Sequence, residues 1–250
     1  MKTVASVGIL GDFDRAKHSH WATEVALHHA AEQLDLHVRI RWIATPEIAT
    51  RGAESVLSAY DGIWASPGSP YQNFDGMLAG IEHARRGPKP FLGTCGGFQY
   101  SLIEFSRNVL RIANADSAEN VTGASGSPCA ARTIVITPAA CALPGRLPGG
   151  PKMSGDDEIW PVPGTLLANI CGTSELRGEY FCSFEVNADF IPRWEAAGLR
   201  VAAVGPGGEM RAFDLPSKRF HIGTLFQPQL SSRADNPHPI VLAFLRACVE

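Results

Sequence analysis

The segment Phe91-Leu92-Gly93-Thr94-Cys95-Gly96-Gly97-Phe98-Gln99 constrains the fold most. A short apolar strand, Pro90–Thr94, runs straight into Gly-x-Cys-x-Gly and then into a helical stretch, Gly96–Asn108. Such a corner is the cysteine form of a nucleophile elbow, in which a strained turn presents the nucleophile between a strand end and a helix start. Glycines on both sides let neighbouring backbone approach closely. The helix start directs its field and its free N–H groups at the sulfur, which favours thiolate. The Gly96 N–H would also face an oxyanion formed on an attacked carbonyl. The bland alternative is a small buried Cys in an ordinary strand–helix turn; the flanking glycines weigh against it.

The rest of the first half has the alternation that such a corner needs. Thr3–Leu10, His37–Ile43 and Asp61–Ser66 read as strands, and His20–Leu34 and Asp75–Arg86 as helices, the latter stopped by Gly87-Pro88. Strands separated by helices mark a parallel sheet covered on both faces. The second half is less regular. Residues 121–155 are rich in Gly, Pro, Ser and Ala and read as a loop-rich insertion with one strand, Thr133–Thr137. Gly164–Gly172, Glu179–Val186, Leu199–Val204, Met210–Phe213 and Phe220–Phe226 read as strands, Asp189–Ala197 and Pro239–Cys248 as helices. The expected fold is one α/β domain over 1–250, three-layer α/β/α, with a mostly parallel central sheet and extra antiparallel strands.

Composition excludes several classes. The net charge is −3 and there is no basic run, so a nucleic-acid surface is not expected. The apolar stretches fall far short of the ~18–20 residues of a membrane span, so no membrane partner is expected. The first residues read as a strand followed by Gly11-Asp12-Phe13-Asp14, with no small-residue cleavage site, not as a signal peptide. Six cysteines without a CxxC spacing fit a reduced, cytoplasmic chain.

Beyond the elbow, Ile103-Glu104-Phe105-Ser106-Arg107-Asn108-Val109-Leu110 and Ala115-Asp116-Ser117-Ala118-Glu119 follow. With Pro163-Gly164-Thr165-Leu166, Phe184-Glu185-Val186-Asn187, Glu195-Ala196-Ala197-Gly198-Leu199, Phe226-Gln227-Pro228-Gln229-Leu230 and His238-Pro239-Ile240, they cover nearly the whole chain. Together they resemble the class I glutamine amidotransferase domain of CTP synthase. The resemblance implies a flavodoxin-like sheet and glutamine hydrolysis by a Cys–His–Glu triad. It assigns the nucleophile to Cys95 and the oxyanion donors to Gly96 and the Pro67-Gly68-Ser69-Pro70 loop. There Gly68 and Ser69 stand where the family has Pro-Gly-Gly; Ser69 has an N–H to give and Pro70 has none. It gives Gln99 and Glu119 the substrate's polar end, with Glu119 facing the α-amino group. The bland reading of Glu119 is a solvated surface acid. No cofactor is implied. The length suits one such domain and leaves no room for an attached synthetase, so a stand-alone chain is expected.

Three positions depart from the family pattern. Its catalytic His is Gln227 here and its Glu is Gln229; neutral amides cannot carry the proton at neutral pH. The Arg that binds the glutamine carboxylate is Ser183, which removes a charged fork. The expected substrate is therefore a small amino-bearing carboxamide other than free glutamine.

Another histidine is needed if the base is an imidazole. His221 lies on the strand leading to Gln227, but six residues put it about 20 Å away. His18 and His20 follow the first strand, on the rim that ligands share in open parallel sheets. Either is a candidate base, as are the substrate and water. Asp12, Asp14, His18 and His20 also have metal-ligand chemistry, although their spacing defines no site, and the plainest reading is a helix start at Ser19 or His20. Three functions stay open: a stand-alone cysteine hydrolase or acyl-transfer enzyme, a catalytically inactive glutaminase-like binding or regulatory protein, and a glutaminase subunit with a synthetase partner. A homo-oligomer is also open.

Overall fold

A computed structural model describes residues 2–122, 132–143 and 146–250. The first half follows the expected alternation. Strands β1 (Val4–Leu10), β2 (His37–Ile43), β3 (Gly62–Ala65) and β4 (Phe91–Thr94) alternate with helices α1 (His18–Gln33), α2 (Thr45–Arg51), α3 (Ala53–Leu57), α4 (Phe74–Arg86) and α5 (Gly96–Asn108). α2 and α3 were not expected. They are short turns of helix between β2 and β3 that pack on α4, too short to show a periodic face.

After α5 come β5 (Ala115–Ser117), α6 (Ala118–Thr122), β6 (Thr133–Pro138), β7 (Met153–Pro161), α7 (Leu166–Cys171), β8 (Leu176–Cys182) and β9 (Phe184–Val186). A 3-10 turn, α8 (Ile191–Ala196), β10 (Arg200–Val204), β11 (Met210–Asp214), β12 (His221–Thr224) and α9 (Pro239–Ala247) complete the chain.

The main sheet has nine strands in the order β2-β1-β3-β4-β12-β11-β10-β7-β8. The five strands from β2 to β12 run parallel, and the rest add antiparallel. The inner parallel strands are buried on both faces: every residue of β3, β4 and β12 is buried. That is the burial expected of strands sandwiched between helices. The result is a mixed sheet in a flavodoxin-like, three-layer α/β arrangement. A second sheet, β5-β6-β9, stands beside it.

Three expectations change. Gly164–Gly172 is not a strand. The Thr165 hydroxyl accepts the Ala168 N–H at 3.1 Å and starts α7, and Gly172 ends it at φ +81°. Glu179–Val186 is two strands, broken at Ser183: β8 pairs with β7, and β9 leaves for the second sheet. The 121–155 segment has the one strand expected in it, β6, and a second that was not expected, β7, begins at its end. Residues 123–131 and 144–145 lie outside the described part.

The register carries the elbow to the C-terminal ends of the parallel strands. Thr94 lies opposite Thr224, and the Cys95 N–H donates to the Thr224 carbonyl at 2.8 Å. His221 lies opposite Phe91 at the other end of the same pair of strands. It is stacked on Phe91 in the core, remote from Cys95, as the strand arithmetic expects.

Candidate active site

Cys95 sits at φ +52°, in the left-handed region that a side chain rarely adopts. The strain is fixed by close packing beneath it. A Cβ on Gly97 would lie 2.2 Å from the Ala65 carbonyl oxygen, so only glycine lets α5 start hard against β3. The Gly97 N–H donates to the Ser66 carbonyl at 3.1 Å, and the Gln99 N–H to the Cys95 carbonyl at 3.1 Å. The Cys182 thiol beside it and burial push the Cys95 thiol well above its ordinary range, against the expected thiolate; the Gly96 N–H pulls the other way without overcoming them.

A cleft of about 1060 Å³ opens above the thiol. Cys95, Gly68, Ser69, Glu119, Ser183 and Gln227 line it, and His18 and Lys17 stand at its rim. The structure thus brings together residues from six separate stretches of chain. Ser69 is held against the elbow: a Cβ on Gly96 would come within 3.0 Å of the Ser69 N and 2.9 Å of the Tyr71 hydroxyl. The Ser69 backbone is therefore packed directly against Gly96. The Ser69 side chain also hydrogen-bonds the Glu119 carboxylate. Burial pushes the Glu119 carboxyl up, while the Ser69 bond and the Lys17 charge pull against that shift.

Two expected site residues are placed otherwise. His20 is 1% exposed and does not line the cleft. Its Nδ1 accepts the Asp14 N–H at 2.9 Å, so its proton is on Nε2, which faces the Pro67 carbonyl at 3.1 Å. Burial lowers its pKa. Both ring nitrogens are used, and His20 has no lone pair for Cys95. Its work is structural: it packs with Phe13 and Trp42 and props the Pro67-Gly68 turn. Gly68, at φ +106°, passes so close that a Cβ would lie 2.7 Å from His20 Nε2.

Gln99 is the second. It is 1% exposed, below the cleft floor. Its Nε2 donates to the Cys182 sulfur at 3.1 Å and to the Phe184 carbonyl at 3.0 Å. It holds a neighbouring thiol where the resemblance expects it to hold substrate.

Gln227 and Gln229 are both buried, and Gln229 Nε2 donates to Gln227 Oε1 at 3.2 Å. Asp12 is occupied by Thr45 and the Gln72 N–H, so the Asp12, Asp14, His18, His20 set does not converge. Among the described residues no group of three His, Cys, Asp or Glu side chains is placed to hold a metal ion. Nor is any helix among them long and apolar enough to cross a membrane.

Sequence reasoning missed Cys182 and Lys17. The Cys182 thiol lines the cleft together with Cys95, whose sulfur lies 3.9 Å from the carbonyl oxygen of the preceding residue, Phe181. Strand parity held a signal for it, since Gly178, Tyr180 and Cys182 share the buried face of β8. Lys17 Nζ donates to the Gly68 carbonyl at 2.9 Å and clamps the same turn that His20 props. No local pattern marks it.

Comparison with known proteins agrees with this geometry. Residues 21–133 match the family described as glutamine amidotransferase class-I. CTP synthase of Saccharolobus solfataricus is 29% identical over 98% of this chain and 45% of its own length. CTP synthase of Thermococcus gammatolerans is 31% identical over the same shares. The chain thus spans a little under half the length of the curated relatives it matches. The glutaminase domain of Trypanosoma brucei CTPS, solved with bound acivicin, superposes with a TM-score of 0.83 at 24% identity, over 98% of this chain and 93% of that one. Fold, elbow and sequence likeness together relate this chain to the class I glutamine amidotransferases: residues 21–133 match that family, and 98% of the chain resembles part of CTP synthase.

Proposed function

We propose that the chain is a cysteine-nucleophile hydrolase or acyl-transfer enzyme that acts on a small amino-bearing carboxamide other than free glutamine. One observation carries the reading: Cys95 stands on a strained turn in the lining of a cleft, with the Gly96 N–H at its sulfur and the Ser69 backbone packed against Gly96. In this reading the Cys95 sulfur attacks the carboxamide carbon. Gly96 and Ser69 donate to the oxyanion. The amine leaves with a proton, and water or another amine then takes the acyl group from sulfur.

Glu119 receives the substrate's amino group. Its carboxyl is pushed up by burial, and an arriving ammonium charge offsets that burial. Ser183 offers no guanidinium, so the carboxylate of free glutamine lacks a charged fork there. Lys17 is already bonded to Gly68 and does not replace it. The imidazole left in the cleft is His18, at the rim. It is the protein's candidate for the base, beside the substrate's own amine and water.

A second reading has its own observation. Gln227 and Gln229 bond to each other where the resemblance expects the base, and the Cys95 thiol is pushed well above its ordinary range by Cys182 and by burial. Those features suit a binding or regulatory protein without turnover. A glutaminase role beside a synthetase partner is the third reading, supported by the names of the relatives.

Ammonia release from a panel of amino-bearing carboxamides, glutamine included, separates the three. The proposal expects release from a member other than glutamine, abolished in Cys95→Ala. Fast release from glutamine supports the synthetase-linked role. No release from any member supports binding alone.

A further inference from the structure

We propose that Cys95 and Cys182 form an oxidisable thiol pair, which a peroxide converts to an intramolecular disulfide across the floor of the cleft. The geometry carries it. Cys182 ends β8, Cys95 caps α5, and the Cys95 sulfur lies 3.9 Å from the carbonyl oxygen of Phe181, the residue before Cys182, although 87 positions separate the two cysteines in the chain. Both line the same cleft, so a small oxidant reaches both. Gln99, reaching up from α5, fixes the Cys182 sulfur at 3.1 Å, and the Phe184 carbonyl accepts the Cys182 thiol at 3.3 Å. The other described cysteines lack such a partner: Cys141 is exposed, and Cys171 and Cys248 lie elsewhere.

The chemistry balances without any bound group. One thiol of the pair, as thiolate, attacks a peroxide oxygen; the O–O bond breaks, hydroxide leaves, and a sulfenic acid forms. The second thiol attacks that sulfur, the S–S bond forms, and the S–O bond breaks. The oxygen leaves as water. In sum, two thiols and one hydrogen peroxide give one disulfide and two waters. Cys182 is the better first thiolate, because its Cys95 neighbour, the Phe184 N–H and the Gln99 amide at its sulfur hold its pKa down against burial. The bond ties up the proposed nucleophile. That the disulfide silences the site rests on the proposed function; that it forms does not.

The test treats the reduced full chain with a small excess of hydrogen peroxide, blocks remaining thiols with N-ethylmaleimide, and maps peptides without reduction. The expected product is a Cys95–Cys182 cross-linked peptide, two hydrogens lighter than the sum of its parts and reversed by dithiothreitol. It should appear at least roughly tenfold faster than oxidation of Cys141. Cys182→Ser and Cys95→Ser should each abolish the cross-link and leave a dimedone-reactive sulfenic acid on the remaining partner. Sulfinic acid on Cys95 with Cys182 still alkylated would overturn the proposal, as would cross-links shared among all cysteines. Because the readout is the bond and not turnover, a disulfide in a chain without hydrolase activity would retain this inference while removing the proposed function.

Discussion

The Nε2 of His20 faces the Pro67 carbonyl at 3.1 Å while its Nδ1 takes the Asp14 N–H at 2.9 Å. The ring is thus a spacer between the loop after β1 and the loop after β3, and it sets the position of Gly68 and Ser69. His20→Ala removes two hydrogen bonds and a packed ring, and should cost about 2–4 kcal/mol of stability. Its residual turnover should keep the wild-type pH profile. His18→Ala should instead leave stability unchanged and lower turnover. Thermal melts and pH–rate curves of both variants decide; a lost limb in His20→Ala with unchanged stability would restore His20 as the base.

Stability should fall in acid, and His221 is one cause. Its ring is stacked on Phe91, tilted against Phe213, and buried, which lowers its pKa to about 3; the Lys218 and Arg85 charges add to the shift. In the unfolded chain the ring takes a proton near its ordinary value of 6.5. Between those two values the unfolded chain holds more protons, so unfolding is favoured increasingly as pH drops. The contribution of His221 is complete above its ordinary value and declines by up to about 1.4 kcal/mol per pH unit down to its folded value. Urea melts from about pH 7 to about pH 4 should show a shallower slope for His221→Phe than for wild type. Equal slopes would contradict this.

Glu104 is a fully buried carboxylate on the helix that carries the nucleophile. Arg85 holds it through two parallel bonds of 2.7 Å, and Asn108 adds a third at 2.9 Å. Removing one partner leaves an uncompensated buried charge, so Arg85→Met should destabilise by about 3–5 kcal/mol. The double variant Arg85→Met/Glu104→Leu removes both charges and should recover most of that loss. A double variant as unstable as the single one would show that the pair supports α5 through shape, not charge.

The parallel half of the fold was legible because its strands are short apolar runs set between helices with clear stops, such as Gly87-Pro88 after α4. The elbow was legible because its glycines and cysteine are adjacent in sequence. Legibility failed where the deciding contact is distant. Gly164–Gly172 has the apolar content of a strand, and the Thr165 cap turns it into α7. His20 lies near the site in the chain, but its partners Pro67 and Asp14 assign it a structural place. Gln99 looks like a substrate contact until β8 delivers the Cys182 sulfur to its amide. Each of these depends on which loop or strand end meets which, and local pattern does not encode that.

The central claim is that Cys95 is a nucleophile poised in a glutaminase-like cleft. Labelling of the reduced chain by a glutamine-like chloroketone, followed residue by residue with peptide mass spectrometry, tests it most directly. The expected result is alkylation of Cys95 first, ahead of the exposed Cys141 and of its neighbour Cys182. Equal labelling of all six cysteines, or labelling of Cys182 with Cys95 left intact, would contradict it.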